Sequence, residues 1–179
     1  MTPRLETRFL AETKASGRRL VGYAARYGVV ADLGTFRERI EPGAFSASLE
    51  SRDILALFDH DPGRVLGRTK TKTLTLNDEP EGLAFDLSVP DTTAGADALA
   101  LAARGDLGGA SIGFIVEEEK KESGVRVIQR AALFEISLVS AGPAYAQTTV
   151  EARRRGGFLV FSPCKTPRLN ALRRFLETV

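Results

Sequence analysis

Three residues in this chain could do chemistry together. Ser111 lies in Gly108-Gly109-Ala110-Ser111-Ile112-Gly113-Phe114, where Gly109, Ser111 and Gly113 match the G-x-S-x-G pattern of a hydrolase nucleophile elbow. Glycines on either side would let a substrate backbone approach the hydroxyl closely. A serine hydroxyl is a poor nucleophile, so it needs a base, and the base needs a group to orient it. His60 is the single histidine in 179 residues, and histidine is the side chain whose ordinary pKa lies near neutrality. It stands in Asp59-His60-Asp61, where flanking carboxylates would raise an imidazole's pKa and favour a base. Glu135 is a lone carboxylate inside Ala131-Ala132-Leu133-Phe134-Glu135-Ile136-Ser137-Leu138-Val139. A charge in so apolar a strand is expensive unless it is paired. It could orient an imidazole as the acid of a triad does.

Each of the three also has a plain structural reading. Ser111 could be a buried strand serine bonded to backbone. His60, at the end of the apolar run 54–60 and on one face with Ile54 and Phe58, could be a satisfied structural histidine. Glu135 could be a rim residue facing water. Asp59, Asp61 and Asp106 are the other carboxylates that could serve as third member. An α/β-hydrolase is excluded by order, because that fold needs its histidine after the serine. One histidine excludes chemistry that needs two imidazoles, and one cysteine excludes a disulfide framework or a cysteine-based zinc site. Only carboxylates could join the imidazole around a metal, so neither a metal nor another cofactor is expected.

The elements that must position these residues read mostly as strands. Alternating, β-branched or aromatic stretches predict strands over 7–13, 19–27, 36–40, 53–60, 65–71, 73–77, 82–89, 110–117, 125–130 and 132–140, with a turn at Ser16-Gly17 and a hairpin connection over 77–82. One helix is expected from Pro42-Gly43 through 44–50. A second follows Pro90, with Asp91, Thr92 or Thr93 as N-cap, and runs through an alanine-rich stretch to Arg104, where Gly105 stops it. A third, over 168–177, carries an apolar stripe of Leu169, Leu172, Phe175 and Leu176. Many short strands with few helices suggest a barrel or a sandwich.

Length and composition predict one globular domain over 1–150 with an appendage over 151–179, joined by a linker near 155–157. The net charge of +2 conceals an asymmetry: the last 29 residues carry +5 and the preceding 150 carry −3. Such a tail often does something different from the body. No stretch approaches the ~20 apolar residues of a membrane span, and no apolar run follows the first residues as in a secretory signal. A cytoplasmic, reducing setting is the default expectation.

Nine pieces of the chain, in order, resemble a known family. They are Gly22-Tyr23-Ala24-Ala25, Ile40-Glu41-Pro42-Gly43-Ala44-Phe45, Leu57-Phe58-Asp59-His60-Asp61, and Val65-Leu66-Gly67-Arg68-Thr69. Gly82-Leu83-Ala84-Phe85 before Pro90-Asp91-Thr92, Arg104-Gly105-Asp106-Leu107, Ser111-Ile112-Gly113-Phe114, Glu135-Ile136-Ser137-Leu138-Val139 and Pro143-Ala144-Tyr145 follow. Together, over roughly residues 20–149, they resemble the tailed-phage prohead proteases of the HK97 type, which are related in fold to herpesvirus assemblin.

The resemblance implies a mainly β, α+β fold: a closed, mostly antiparallel barrel of the assemblin type with flanking helices. It implies a serine endopeptidase with Ser111 as nucleophile, His60 as general base, and Glu135 where assemblins place a second histidine. Two departures stand out. Asp59 replaces a common asparagine, and Ser140-Ala141-Gly142-Pro143 replaces a Thr-Phe-Pro segment. Pro143 has no N–H, so Ala144 or Tyr145 would supply an oxyanion-hole donor, with Gly113 as a further substrate-facing position. The implied substrates are the scaffolding segment of a major capsid protein, or a separate scaffold, and the protease itself. The implied setting is the immature capsid (prohead) inside a bacterial host's cytoplasm, with no specific nucleic acid and no membrane as partner. Whether the particle belongs to a phage, a prophage remnant or a gene transfer agent stays open. So does a homodimer, although assemblins are activated by dimerising. The tail is then either a removable targeting segment that docks on scaffold or capsid, or an amphipathic helix packed on the body. A non-catalytic barrel of capsid assembly and a serine esterase are the competing functions.

Overall fold

The structure is a computed structural model and describes residues 5–10, 13–16 and 18–140. In chain order the elements are β1 (Leu5–Leu10), β2 (Thr13–Ser16), β3 (Arg19–Arg26), β4 (Ala31–Asp32), β5 (Arg37–Ile40), α1 (Ser46–Ser51), β6 (Leu55–Phe58), β7 (Asp61–Arg68), β8 (Leu74–Glu79), β9 (Gly82–Ser88), α2 (Thr93–Arg104), β10 (Gly109–Glu122) and β11 (Val125–Val139). They form a seven-stranded mixed sheet and a four-stranded sheet ordered β2-β3-β9-β8. The tail helix over 168–177, the linker, and Ala144 and Tyr145 lie outside the described residues.

The expected closed barrel is not found. Both sheets are open, and no strand pairing joins a margin of one sheet to the other among the described residues. Closure would require those margins to bond to each other. Instead the two sheets bury a shared core, in which Leu20, Leu83 and Phe85 of the small sheet meet Ile112, Phe114 and Ile136 of the large one. Phe45, just before α1, packs edge-on against Phe114 with ring centroids 5.9 Å apart, a favoured aromatic geometry.

The long strand β11 organises the large sheet. One edge pairs antiparallel with β10 along its length. The other edge carries two parallel partners in succession, β5 beside 125–128 and β6 beside 135–138. Between them a strand partner is missing, and a buried side chain takes its place. Ser48 of α1 accepts from the Leu133 N–H at 2.9 Å and donates to the Ala131 carbonyl at 3.3 Å. Buried backbone groups need such partners. With β10 paired to Arg130, Ala131, Ala132 and Leu133 on the other edge, the strands expected over 125–130 and 132–140 are one strand.

Other expectations shift for local reasons. The strand expected over 7–13 is divided: β1 pairs with β10 in the large sheet and β2 with β3 in the small one. The strand expected over 53–60 stops at Phe58, because Asp59 and His60 turn the chain. Helix α1 begins at Ser46, later than Pro42-Gly43 suggests. Helix α2 matches its expected bounds. The Thr92 side chain accepts from the Gly95 N–H at 3.2 Å, and Gly105 ends the helix at φ 74°, the left-handed cap that glycine adopts freely. Among the described residues, no helix is long and apolar enough to cross a membrane.

Candidate active site

Strand alternation decides which residues share the site. On β10, Ala110, Ile112 and Phe114 enter the main core, so Gly109, Ser111 and Gly113 point to the opposite face. Register extends that face across the sheet. Ser111 is opposite Ser137, Gly113 is opposite Glu135, and β6 sets Leu55 and Leu57 beside Glu135 and Ser137. The G-x-S-x-G match is therefore one face of a strand and not a strand-to-helix elbow. Ser111, Glu135 and Ser137 are all fully buried.

A β-bulge aims Glu135. Gly113 pairs with Glu135 while Phe114 pairs with Leu133, so Phe134 is the extra residue on β11. Bulges of this kind re-aim side chains and are common beside active sites. Gly113 makes the room. A Cβ there would lie 2.5 Å from Glu135 Oε1 and 2.9 Å from its Cγ. The glycine expected to admit substrate thus admits the Glu135 carboxylate.

His60 reaches the same face from a tight hairpin. Phe58 pairs with Asp61, and the two residues between them have positive φ, 52° at Asp59 and 56° at His60. That is the pattern of a two-residue type I′ turn. His60 is therefore not a strand residue sharing a face with Phe58. The turn is tied to the end of β11: the Asp59 N–H donates to the Leu138 carbonyl at 2.8 Å, and the Asp59 carboxylate accepts from the Ser140 N–H at 2.8 Å. On β7, Arg64 lies over the Phe58 ring at 4.1 Å and pairs with Asp97 of α2 at 3.2 Å.

With the turn so held, His60 Nδ1 lies 2.6 Å from Glu135 Oε1. The His60 side chain is 18% exposed and that of Glu135 is 0%. Burial alone would lower the His60 pKa. The charge of Glu135, its hydrogen bond and the charge of Asp59 outweigh that effect, and the net shift is upward from 6.5. The Ser137 hydroxyl donates to the other carboxylate oxygen, Oε2. Ser111 Oγ is buried without a hydrogen-bond partner among the described residues, so its reading as a serine bonded to backbone does not hold.

Of the carboxylates that could orient the imidazole, only Glu135 meets Nδ1 among the described residues. Asp59 faces Ser140, Asp61 accepts from the Gly63 N–H, and Asp106 pairs with Arg104. Sequence reading missed Ser137. Its signal was present, since it lies two residues from Glu135 in a strand and so shares its face. Among the described residues, no group of three or more His, Cys, Asp or Glu side chains could hold a metal ion.

A buried serine, an imidazole and a carboxylate bonded to that imidazole are the parts of a serine hydrolase. The family model described as caudovirus prohead serine protease matches residues 5–158, and the chain belongs to that family. Among solved structures, the capsid assembly protease gp21 of bacteriophage T4 is similar, with TM-score 0.53 and 9% sequence identity over 78% of this chain and 99% of that one. At that identity the likeness is one of fold. No curated protein sequence matches this chain significantly.

Proposed function

We propose that this chain is a serine endopeptidase of capsid maturation in which Ser111 is the nucleophile, His60 the general base and Glu135 the orienting acid. The observation that carries the assignment is the 2.6 Å contact between His60 Nδ1 and a Glu135 carboxylate fully removed from water. A bonded carboxylate holds the proton on Nδ1 and leaves Nε2 to act as base. His60 takes the Ser111 proton as Oγ attacks a peptide carbonyl. The imidazolium, stabilised by Glu135, then protonates the leaving amine as the C–N bond breaks. Water, deprotonated by His60, attacks the acyl-enzyme and releases the second product.

The substrates in this reading are the scaffolding part of a capsid precursor and the protease itself, and the site of action is the interior of the prohead. Membership of a prohead serine protease family supports this. In this reading the basic tail over 151–179, which carries a net charge of +5, is a removable address for scaffold or capsid.

Co-expression with the cognate capsid precursor, followed by intact-mass measurement, tests the assignment. The wild-type chain is expected to shorten the precursor and itself. Ser111→Ala and His60→Ala are expected to leave both at full length, and processing by either variant would overturn it. Glu135→Gln is expected to slow cleavage by about 10³- to 10⁴-fold. A wild-type rate would remove Glu135 from the triad.

A further inference from the structure

Ser137 has no role in the chemistry just described, yet it is built into the site. It is fully buried on β11, directly opposite Ser111 on β10. Residues so opposed have Cβ atoms about 5 Å apart. Its hydroxyl donates to Glu135 Oε2, while Oε1 of the same carboxylate meets His60 Nδ1 at 2.6 Å. Each carboxylate oxygen therefore has its own partner. An ionised carboxylate accepts only, and a fully buried one is costly unless its oxygens are bonded. Glutamate also has three side-chain torsions, so a single contact at Oε1 would leave the carboxylate free to rotate about its last bond. A second contact from the same strand removes that freedom.

We propose that Ser137 is a positioning residue: its hydroxyl locks the Glu135 carboxylate so that Oε1 stays on the imidazole. The inference rests on the triad reading and deepens it. The surrounding charges do not duplicate this job. Asp59, on the His60 turn, is engaged by Ser140, and Arg64 of β7 by Asp97, with Asp59 at 3.9 Å. Leu55 and Leu57 of β6, beside Glu135 and Ser137 in register, offer no hydrogen-bonding side chain.

The test uses the full-length chain and a peptide spanning a cleavage junction mapped on the capsid precursor. Ser137→Ala is expected to lower kcat by about 10- to 100-fold, the scale of one hydrogen bond to a charged group, with KM within about twofold because Ser137 binds no substrate. Ser137→Thr, which keeps the hydroxyl, is expected to recover most of the loss. A single histidine makes the second readout unambiguous. In Ser137→Ala the imidazole Nδ1–H resonance should move upfield and the ring should titrate at lower pH, as its bond to Glu135 loosens. A merely structural serine would move stability but neither of these. Should Ser137→Ala not fold, Ser137→Cys, which replaces a strong donor with a weak one, supports the same comparison. Wild-type kcat and an unchanged imidazole titration in the serine variants would overturn the proposal. Glu135→Gln run beside them separates the two readings. If it is also fully active, the triad reading has failed. If it alone is inactive, only the role of Ser137 has.

Discussion

Gly113 and Glu135 face each other across the β10–β11 ladder, and the carboxylate lies in the space that a side chain on Gly113 would fill. A glycine usually weakens a strand interior. Here it lets a buried carboxylate lie across the neighbouring strand and reach His60. The cost in strand stability is exchanged for the position of one charge.

The first prediction follows from that relationship. In Gly113→Ala the new Cβ would lie 2.5 Å from Glu135 Oε1 and 3.0 Å from its Cδ, so the carboxylate must shift. Overpacking of this kind costs about 1–3 kcal/mol. Cleavage should fall well beyond what the lost stability explains, because the His60 contact is displaced. Urea denaturation and peptide turnover check both parts. An unchanged midpoint with unchanged turnover would show that Glu135 has room to spare.

The second prediction concerns pH. The folded state holds the His60 proton more tightly than an unfolded chain, since the pKa is raised from 6.5. The stability contributed by this group is therefore fully present below about pH 6.5 and lost as pH rises through the folded-state value. In the proposed mechanism activity runs the other way, because a general base must be neutral. The acidic limb of kcat/KM is expected above pH 6.5 and should coincide with the titration of the single imidazole followed by NMR. A limb below 6.5 would contradict the raised pKa.

Asp59 offers a third test, of charge separated from shape. Asn at this position keeps an acceptor for the Ser140 N–H and tolerates a φ of 52°. It removes a negative charge that raises the His60 pKa. Asp59→Asn should fold normally, with stability changed by less than about 1 kcal/mol, while the His60 titration and the acidic limb both move to lower pH. An unmoved titration would rule out the Asp59 charge as a contributor.

A fourth prediction lies in the frame that holds the site. Ser48→Ala strands the buried Leu133 N–H, which has Ser48 Oγ at 2.9 Å. A buried donor left without its partner costs about 1–3 kcal/mol. The urea midpoint should fall accordingly, with the His60 titration unchanged at temperatures where the variant is folded. A neutral effect on stability would mean that α1 does not secure β11.

The residues that define the candidate site were legible in the sequence because each breaks a local rule. Glu135 interrupts an apolar run, Ser111 sits between glycines, and His60 is the single residue of its type. The pairing of Glu135 with His60 was legible only as an option, since Asp59, Asp61 and Asp106 are equally acidic on paper. Sequence separation does not pick the partner: Glu135, 75 residues from His60, meets the imidazole, while the adjacent Asp59 and Asp61 do not meet Nδ1. Helix α2 was readable to within a residue at its start, where three adjacent residues could cap it, and to the residue at its end, because its cap, its alanines and its terminal glycine are all local signals. The turn at Asp59-His60 reads as strand in the sequence, since the run before it is apolar and neither turn position is a glycine.

The sequence by itself determined the alternation that puts Ser111 and Gly113 on one strand face, and Glu135 and Ser137 on one face of another. That follows from the period-2 geometry of extended chains. Only the tertiary structure decided that these faces are the same face. It also decided that the bulge at Phe134 turns Glu135 toward His60, and that the sheets stay open where a closed barrel was expected. Register, bulges and sheet margins depend on contacts between residues far apart in the chain. No local pattern of residue types specifies them.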